Sequence, residues 1–176
     1  ALIANTDAMA AFWRRLHPSY EHKITLLWNS FDAEEPIGPA PLPPRNFRVL
    51  AHVGTIYGNR HPGLVLAAVA RLIAKGRLDP AKLRIQLVGP MEARACLANA
   101  VAERLAQEGC LELNPRLVPR TEAQSCAAEA DLLLLLDVVS GAAGLQVPGK
   151  LFDYIRIGRP ILASTTRDSP VERILQ

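Results

Sequence analysis

Between Phe47 and Leu175 the chain alternates short apolar runs with segments of helical periodicity, and one run, Leu132–Leu136, is five consecutive leucines. A strand built from such a run has no polar face. It is stable only where both faces are covered, as in a parallel sheet sandwiched between helices. The strands expected on this basis are Phe47–Val53, Leu83–Val88, Leu111–Leu113, Asp131–Leu136 and Ile161–Ala163. Between them the spacing predicts helices over Pro62–Lys75, Glu92–Gln107, Thr121–Ala130 (with Thr121 as cap) and Leu151–Ile157, and another starting at Ser169. On the first helix Val65, Val69, Leu72 and Ile73 share a face; on the second, Leu97, Val101 and Leu105 recur at steps of four. Gly76, Gly109 and Gly158 stop three of the helices. Strands and helices in this order predict a doubly wound parallel α/β sheet.

Residues 36–44 read PIGPAPLPP, five prolines in nine residues. Proline lacks a backbone donor and fixes φ, so the stretch is neither helix nor central strand but a stiff linker. It divides the chain into a leader (1–35), a linker (36–46) and an α/β domain (47–176). The leader reads as strand Ala1–Ala4, a helix from about Ala8 to Leu16 capped by Thr6 or Asp7 and stopped by Pro18, and strand Lys23–Trp28. So short a segment cannot bury a core of its own. It reads as the remnant of a preceding domain, in a fragment of a longer protein that is also truncated at its C-terminus.

Of the 176 residues, 49% are hydrophobic and 21% charged, which excludes global disorder. No apolar run approaches the roughly 20 residues that cross a bilayer. Twenty Lys and Arg against 17 Asp and Glu leave a net charge of +3 with no basic block, and aromatics make up 5%. That combination argues against a nucleic-acid partner. Cys96, Cys110 and Cys126 are odd in number and show no CxxC spacing, as expected of buried, reduced thiols in a cytoplasmic protein. No secretory signal is visible. His52 lies near the end of a strand and His61 at a helix start, without metal-ligand spacing; His17 and His22 are expected at the surface.

In an open parallel sheet, ligands bind beyond the carboxyl ends of the strands. That rule selects the loops after Val53, Val88, Val118 and Asp137. The first, GTIYGNRHP (54–62), carries Arg60, which can pair bidentately with a phosphate. The last, SGAAGLQVPGK (140–150), carries Gly141, Gly144 and Gly149. It leads into a helix whose first N–H groups are expected to be unpaired and positively polarised. Lys150 at that terminus opposes the helix dipole, and it makes sense beside a bound anion. Gly144-x4-Gly149-Lys150 has Walker A spacing, but Leu151 replaces the Ser or Thr that ligates magnesium, so a P-loop NTPase is the weaker reading. Asp153 in the first helical turn can accept hydrogen bonds from two vicinal hydroxyls.

Four segments in order resemble the nucleotide-sugar-binding, C-terminal half of the GT-B glycosyltransferases, in particular the retaining "group 1" family. They are ITLLWNSFD (24–32), VGTIYGNRHP (53–62), IQLVGP (85–90) and PGKLFDYIRIGRPILA (148–163). The third is similar to that family's second strand and its glycine, here Gly89. The resemblance implies a Rossmann-like fold and transfer of a sugar from a nucleoside diphosphate to an acceptor hydroxyl with retained configuration. It places Asp153 at the second Glu of the family's paired-Glu motif, on the ribose hydroxyls. Arg60 and Lys150 would stabilise the departing diphosphate. The first Glu of the pair falls at Leu145, leaving backbone N–H groups of 141–144 to hold the donor there. Thr55 stands where the family usually has arginine. Gly54, Thr55, Tyr57, Gly89, Gly141, Gly144, Leu145 and Gly149 complete the expected donor site.

No metal or other cofactor is expected, since protein cations would do that work. The acceptor, a glycan, lipid or small molecule, would bind a missing N-terminal domain, which could also bring the protein to a membrane surface. The other reading left open is a nucleotide-binding α/β module without transfer activity.

Overall fold

The computed structural model describes residues 1–35, 37–92, 100–138 and 144–176. The leader forms β1 (Leu2–Ala4), α1 (Asp7–Leu16), a 3-10 turn at Pro18–Lys23 and β2 (Ile24–Leu26). β1 and β2 pair in parallel, Leu2 with Ile24 and Ala4 with Leu26. Thr6, not Asp7, caps α1, its hydroxyl accepting from the Met9 N–H at 3.0 Å. Ala4, Ala10 and Ile24 are buried together, with Met9 and Trp13 packed on them. The expected run to Trp28 ends at Leu26, and Leu27 and Trp28 are exposed.

After residues 37–45, which form neither helix nor strand, come β3 (Arg48–Val53), α2 (Gly63–Ala74), a 3-10 turn (Pro80–Lys82) and β4 (Leu83–Val88). Next are α3 (Ala100–Gln107), β5 (Leu111–Asn114), α4 (Arg120–Ala128) and β6 (Leu132–Leu136). The chain closes with α5 (Lys150–Ile157), β7 (Ile161–Ser164) and α6 (Pro170–Leu175). Five strands lie in the order β5-β4-β3-β6-β7, and each neighbouring pair is parallel. The order reverses between β3 and β6, which puts the topological switch point beside the β3 and β6 ends.

The five leucines divide by parity between two cores, as period two requires. Leu134 and Leu136 join Leu50, Ile85 and Leu87 under α2 and α3, through Leu66, Val69, Ala70, Ala102 and Leu105. Leu133 and Leu135 join Val49, Ala51 and Val53 under α4 and α5, through Ala127, Leu151, Tyr154 and Ile157. Leu133 to Leu135 are fully buried, and each such side chain contributes about 1.5–3 kcal/mol on leaving water.

Two local expectations are corrected. On α2 the expected face is met by Val69, which is buried, and by Val65 and Ile73, which pack on the same core beside Leu66 and Ala70, while Leu72 is exposed. On α4 Thr121 does not cap: the helix starts at Arg120 after Pro119, with no side-chain cap bond. Leu97 and Cys96 lie outside the described residues. Cys110 is buried and Cys126 half-buried; both are free, and burial pushes both thiols up.

Asp131 ties the end of the linker to the sheet. Its carboxylate accepts from Arg45 at 2.6 Å, from Arg48 at 2.7 Å and from the Val49 N–H at 2.9 Å. Burial alone would raise this carboxyl, yet the Val49 N–H and the two guanidiniums hold it below its ordinary value. A depressed carboxyl contributes stability that is present above its unfolded value and lost as pH falls through the folded one. Asp131→Ala is expected to lower the unfolding free energy by about 1–3 kcal/mol at neutral pH. The gap from wild type, read by chemical denaturation, closes as pH falls below about 4.

Candidate donor site at the sheet's carboxyl edge

β3 and β4 end together in two glycines. The Gly54 N–H donates to the Val88 carbonyl at 2.7 Å and the Gly89 N–H to the Asn114 carbonyl at 2.9 Å. Gly54 has φ +135° and Gly89 φ +124°, a region that side-chain-bearing residues avoid. A Cβ on Gly89 would lie 2.7 Å from the Gly54 carbonyl oxygen, and one on Gly54 would lie 2.2 Å from Lys150 Nζ. The absence of a side chain at Gly54 therefore makes the space in which the Lys150 ammonium sits.

Lys150 opens α5 and reaches back over the end of β3. It is mostly withdrawn from solvent, and its Nζ lies 3.4 Å from Nε2 of His52. Among the described residues no carboxylate lies within ion-pair distance of it. Burial, with the Arg60 charge added, pushes the ammonium down to about 8.

Arg60 arrives on a tight turn in which its N–H donates to the Tyr57 carbonyl at 2.9 Å. Its guanidinium lies over the Tyr57 ring, 5.4 Å from the centroid. The side chain is only 11% exposed. Its nearest acid is Asp137, at 4.0 Å, beyond hydrogen-bond range, and its buried Nε has no partner. Asp137, 4% exposed at the end of β6, instead accepts from the Val138 N–H and the Thr165 hydroxyl, both at 2.8 Å. Sequence reasoning passed over Asp137 as a site residue, although it directly follows the leucine run at the switch point.

The structure thus brings Gly54, Thr55, Tyr57, Arg60, Gly89 and Lys150 to one edge, with Thr55 and Tyr57 exposed. Gly144 lies against Thr166 and Ser169, Leu145 presents its carbonyl to the Thr6 hydroxyl, and Gly149 is exposed. Gly141 lies outside the described residues.

One expectation is corrected here. The Leu151 and Phe152 N–H groups are not unpaired, because they donate to the Pro148 and Gly149 carbonyls at 3.0 and 3.1 Å. Gly149 already has helical dihedrals, so the entry turn closes on itself. The formal positive charge at this edge is carried by Arg60 and Lys150.

Asp153 shares a cavity of about 90 Å3 with Lys150, Val53, Arg120 and Tyr154. That is well below the few hundred Å3 typical of a ligand pocket. Its carboxylate is 3.6 Å from Arg120, and burial raises it above its ordinary value. Arg120 in turn is held by Glu35, with two contacts of 2.6 Å, and with Gln124 it keeps the Glu35 carboxyl down at about 2. These two residues had carried no expected role, since nothing in the sequence links positions so far apart. The described residues contain no group of three His, Cys, Asp or Glu side chains able to hold a metal, and no helix long and apolar enough to cross a membrane.

No protein-family profile matches the sequence, and comparison with curated proteins gives no match. Solved structures do match. A mutant of S. aureus TarM, in complex with fondaparinux, alpha-GlcNAc-glycerol and UDP, superposes with a TM-score of 0.69 at 15% identity, over 97% of this chain and 31% of that one. HepE from Anabaena, in complex with UDP and glucose, gives 0.67 at 14%, over 99% and 46%. The apo form of the lipopolysaccharide outer core galactosyltransferase WaaB gives 0.63 at 16%, over 97% and 44%. The chain has the fold of GT-B glycosyltransferases, and it spans between about a third and a half of the length of these proteins.

The Gly54 cradle can be tested directly. Gly54→Ala is expected to cost more stability than Gly58→Ala. Gly58 at φ +52° lies in the left-handed region that costs a side-chain-bearing residue about 1–2 kcal/mol, whereas Gly54 at φ +135° lies where glycine alone is at ease, and a Cβ there would also have to displace the Lys150 ammonium. Equal losses in chemical denaturation would contradict the glycine-only backbone at Gly54.

Proposed function

We propose that this chain binds the diphosphate of a nucleoside-diphosphate sugar between Lys150 and Arg60, as the donor side of a glycosyltransferase. The observation that carries the reading is two largely buried cations at the switch point with unfilled hydrogen-bonding capacity. A buried guanidinium nitrogen without a partner costs about 1–3 kcal/mol or more, and an ammonium with one neutral acceptor and no carboxylate is disfavoured for the same reason. A diphosphate satisfies both: Arg60 can take two oxygens in parallel and Lys150 one as a point charge. Support also comes from two structures of the same fold that hold UDP, TarM and HepE.

In transfer, the bond from the anomeric carbon to the diphosphate breaks with its electron pair going to phosphate. A new bond forms to an acceptor hydroxyl, and the hydroxyl proton leaves with the diphosphate. Arg60 and Lys150 lie where that negative charge develops, so they stabilise the departing group more than the intact donor. Asp153 takes the ribose hydroxyls once its contact with Arg120 opens. Retention of configuration rests on the resemblance of 148–163 to the retaining group. The acceptor and the rest of the cleft belong to the whole enzyme, and sugar transfer is proposed for that protein.

Calorimetry with UDP and uridine tests the reading. Lys150→Ala is expected to weaken UDP by about tenfold or more and leave uridine nearly unchanged. Wild-type affinity for UDP falls as pH rises through about 8, because the free ammonium loses its proton there, and this fall is absent in Lys150→Ala. Equal losses for both ligands, or a pH profile shared by both proteins, would remove Lys150 from the phosphate.

A further inference from the structure

His52 is fully buried at the penultimate position of β3, in a strand otherwise apolar from Val49 to Val53. Its Nδ1 lies 2.8 Å from the Leu134 carbonyl of the neighbouring strand. A carbonyl only accepts, so Nδ1 carries the hydrogen and Nε2 is left as a bare acceptor. That acceptor points at Lys150 Nζ, 3.4 Å away, and an ammonium only donates. The direction of both bonds is therefore set by chemistry. We propose that His52 is the positioning residue for Lys150, its Nε2 accepting from the ammonium and fixing it at the carboxyl end of β3. For the diphosphate, this inference rests on the function proposed above.

The surroundings keep the imidazole neutral. Burial, then the Lys150 and Arg60 charges, pushes it down to about 3, against the opposing pull of the Leu134 carbonyl. The other ionisable groups at this place are Asp137, which lies toward Arg60, Asp153, which lines a cavity with Lys150 and leans on Arg120, and Tyr154, whose hydroxyl accepts from the Val53 N–H at 3.0 Å. Burial pushes that phenol up to about 12, so it stays neutral as well. A neutral acceptor is what a cation meant for phosphate requires. A carboxylate at the same place would hold the ammonium just as firmly, but it would cancel the charge offered to the ligand.

Nitrogen NMR of the full chain reads the tautomer without nucleotide. Between about pH 5 and 8, where an ordinary histidine titrates, Nδ1 should stay protonated and Nε2 bare. A hydrogen on Nε2, or titration in that range, overturns the proposal. His52→Leu removes the acceptor, and His52→Gln keeps one. Competitive acetylation read at Lys150 by mass spectrometry should show the amine titrating at lower pH in His52→Leu and close to wild type in His52→Gln. UDP affinity should fall about tenfold in the first and stay within about threefold in the second. Two variants that behave alike overturn the proposal. If His52→Leu does not fold, the wild-type spectrum and His52→Gln decide. If wild type binds no UDP while the imidazole and amine readouts come out as expected, the His52–Lys150 pair stands and the diphosphate reading alone falls.

Discussion

An ammonium withdrawn from water needs acceptors, and at Lys150 the chain supplies a neutral one and leaves the rest open. This arrangement explains the features around it. Gly54 and Gly89 have φ of +135° and +124°, which glycine alone adopts with ease; Nζ fills the space a Gly54 Cβ would take, and the Gly54 carbonyl the space of a Gly89 Cβ. His52 is tolerated in an apolar strand because both ring nitrogens have partners. Arg60 comes to the same edge with its Nε unfilled, while Asp137 stays at 4.0 Å, occupied by Val138 and Thr165. A carboxylate close enough to pair fully would compete with any anion for the guanidinium.

The positions of these groups depend on distant parts of the chain. The loop before Lys150 is held by the leader: Asn29 donates to the Val147 carbonyl at 2.8 Å, Asn5 to the same oxygen at 3.3 Å, and the Thr6 hydroxyl to the Leu145 carbonyl. Further along α5, Arg156 donates at 2.6 Å to the Asp32 and Glu35 carbonyls and lies over the Phe31 ring. Glu35 grips Arg120, which faces Asp153. The start of α5, where the proposed phosphate ligand sits, is thus fastened to residues well over a hundred positions earlier. Movement of the leader would be felt at Lys150 and Asp153 together.

The sheet was legible because burial on both faces writes itself into composition: five leucines in a row admit one kind of strand. The cations at the edge were legible because strand ends and glycine loops mark where backbones approach ligands. Less was legible where tertiary contact decides. On α2 Val65, Val69 and Ile73 face the core as their spacing says, and Leu72 falls outside it, since the width of the covered stripe depends on what packs against the helix. The free N–H groups expected at α5 were taken by Pro148 and Gly149, a closure that depends on dihedrals no residue type dictates. His52 was read only as a histidine near a strand end, because its partners, the Leu134 carbonyl and Lys150, lie 82 and 98 positions away. Arg120 and Glu35 were invisible for the same reason.

The account stands on Lys150 and Arg60 sharing one anion. A crystal structure of the chain with UDP tests that most directly. The account predicts diphosphate oxygens within hydrogen-bond distance of Lys150 Nζ and of the Arg60 guanidinium, over Gly54. UDP bound elsewhere, or bound with Arg60 closed onto Asp137 and Lys150 untouched, would contradict it.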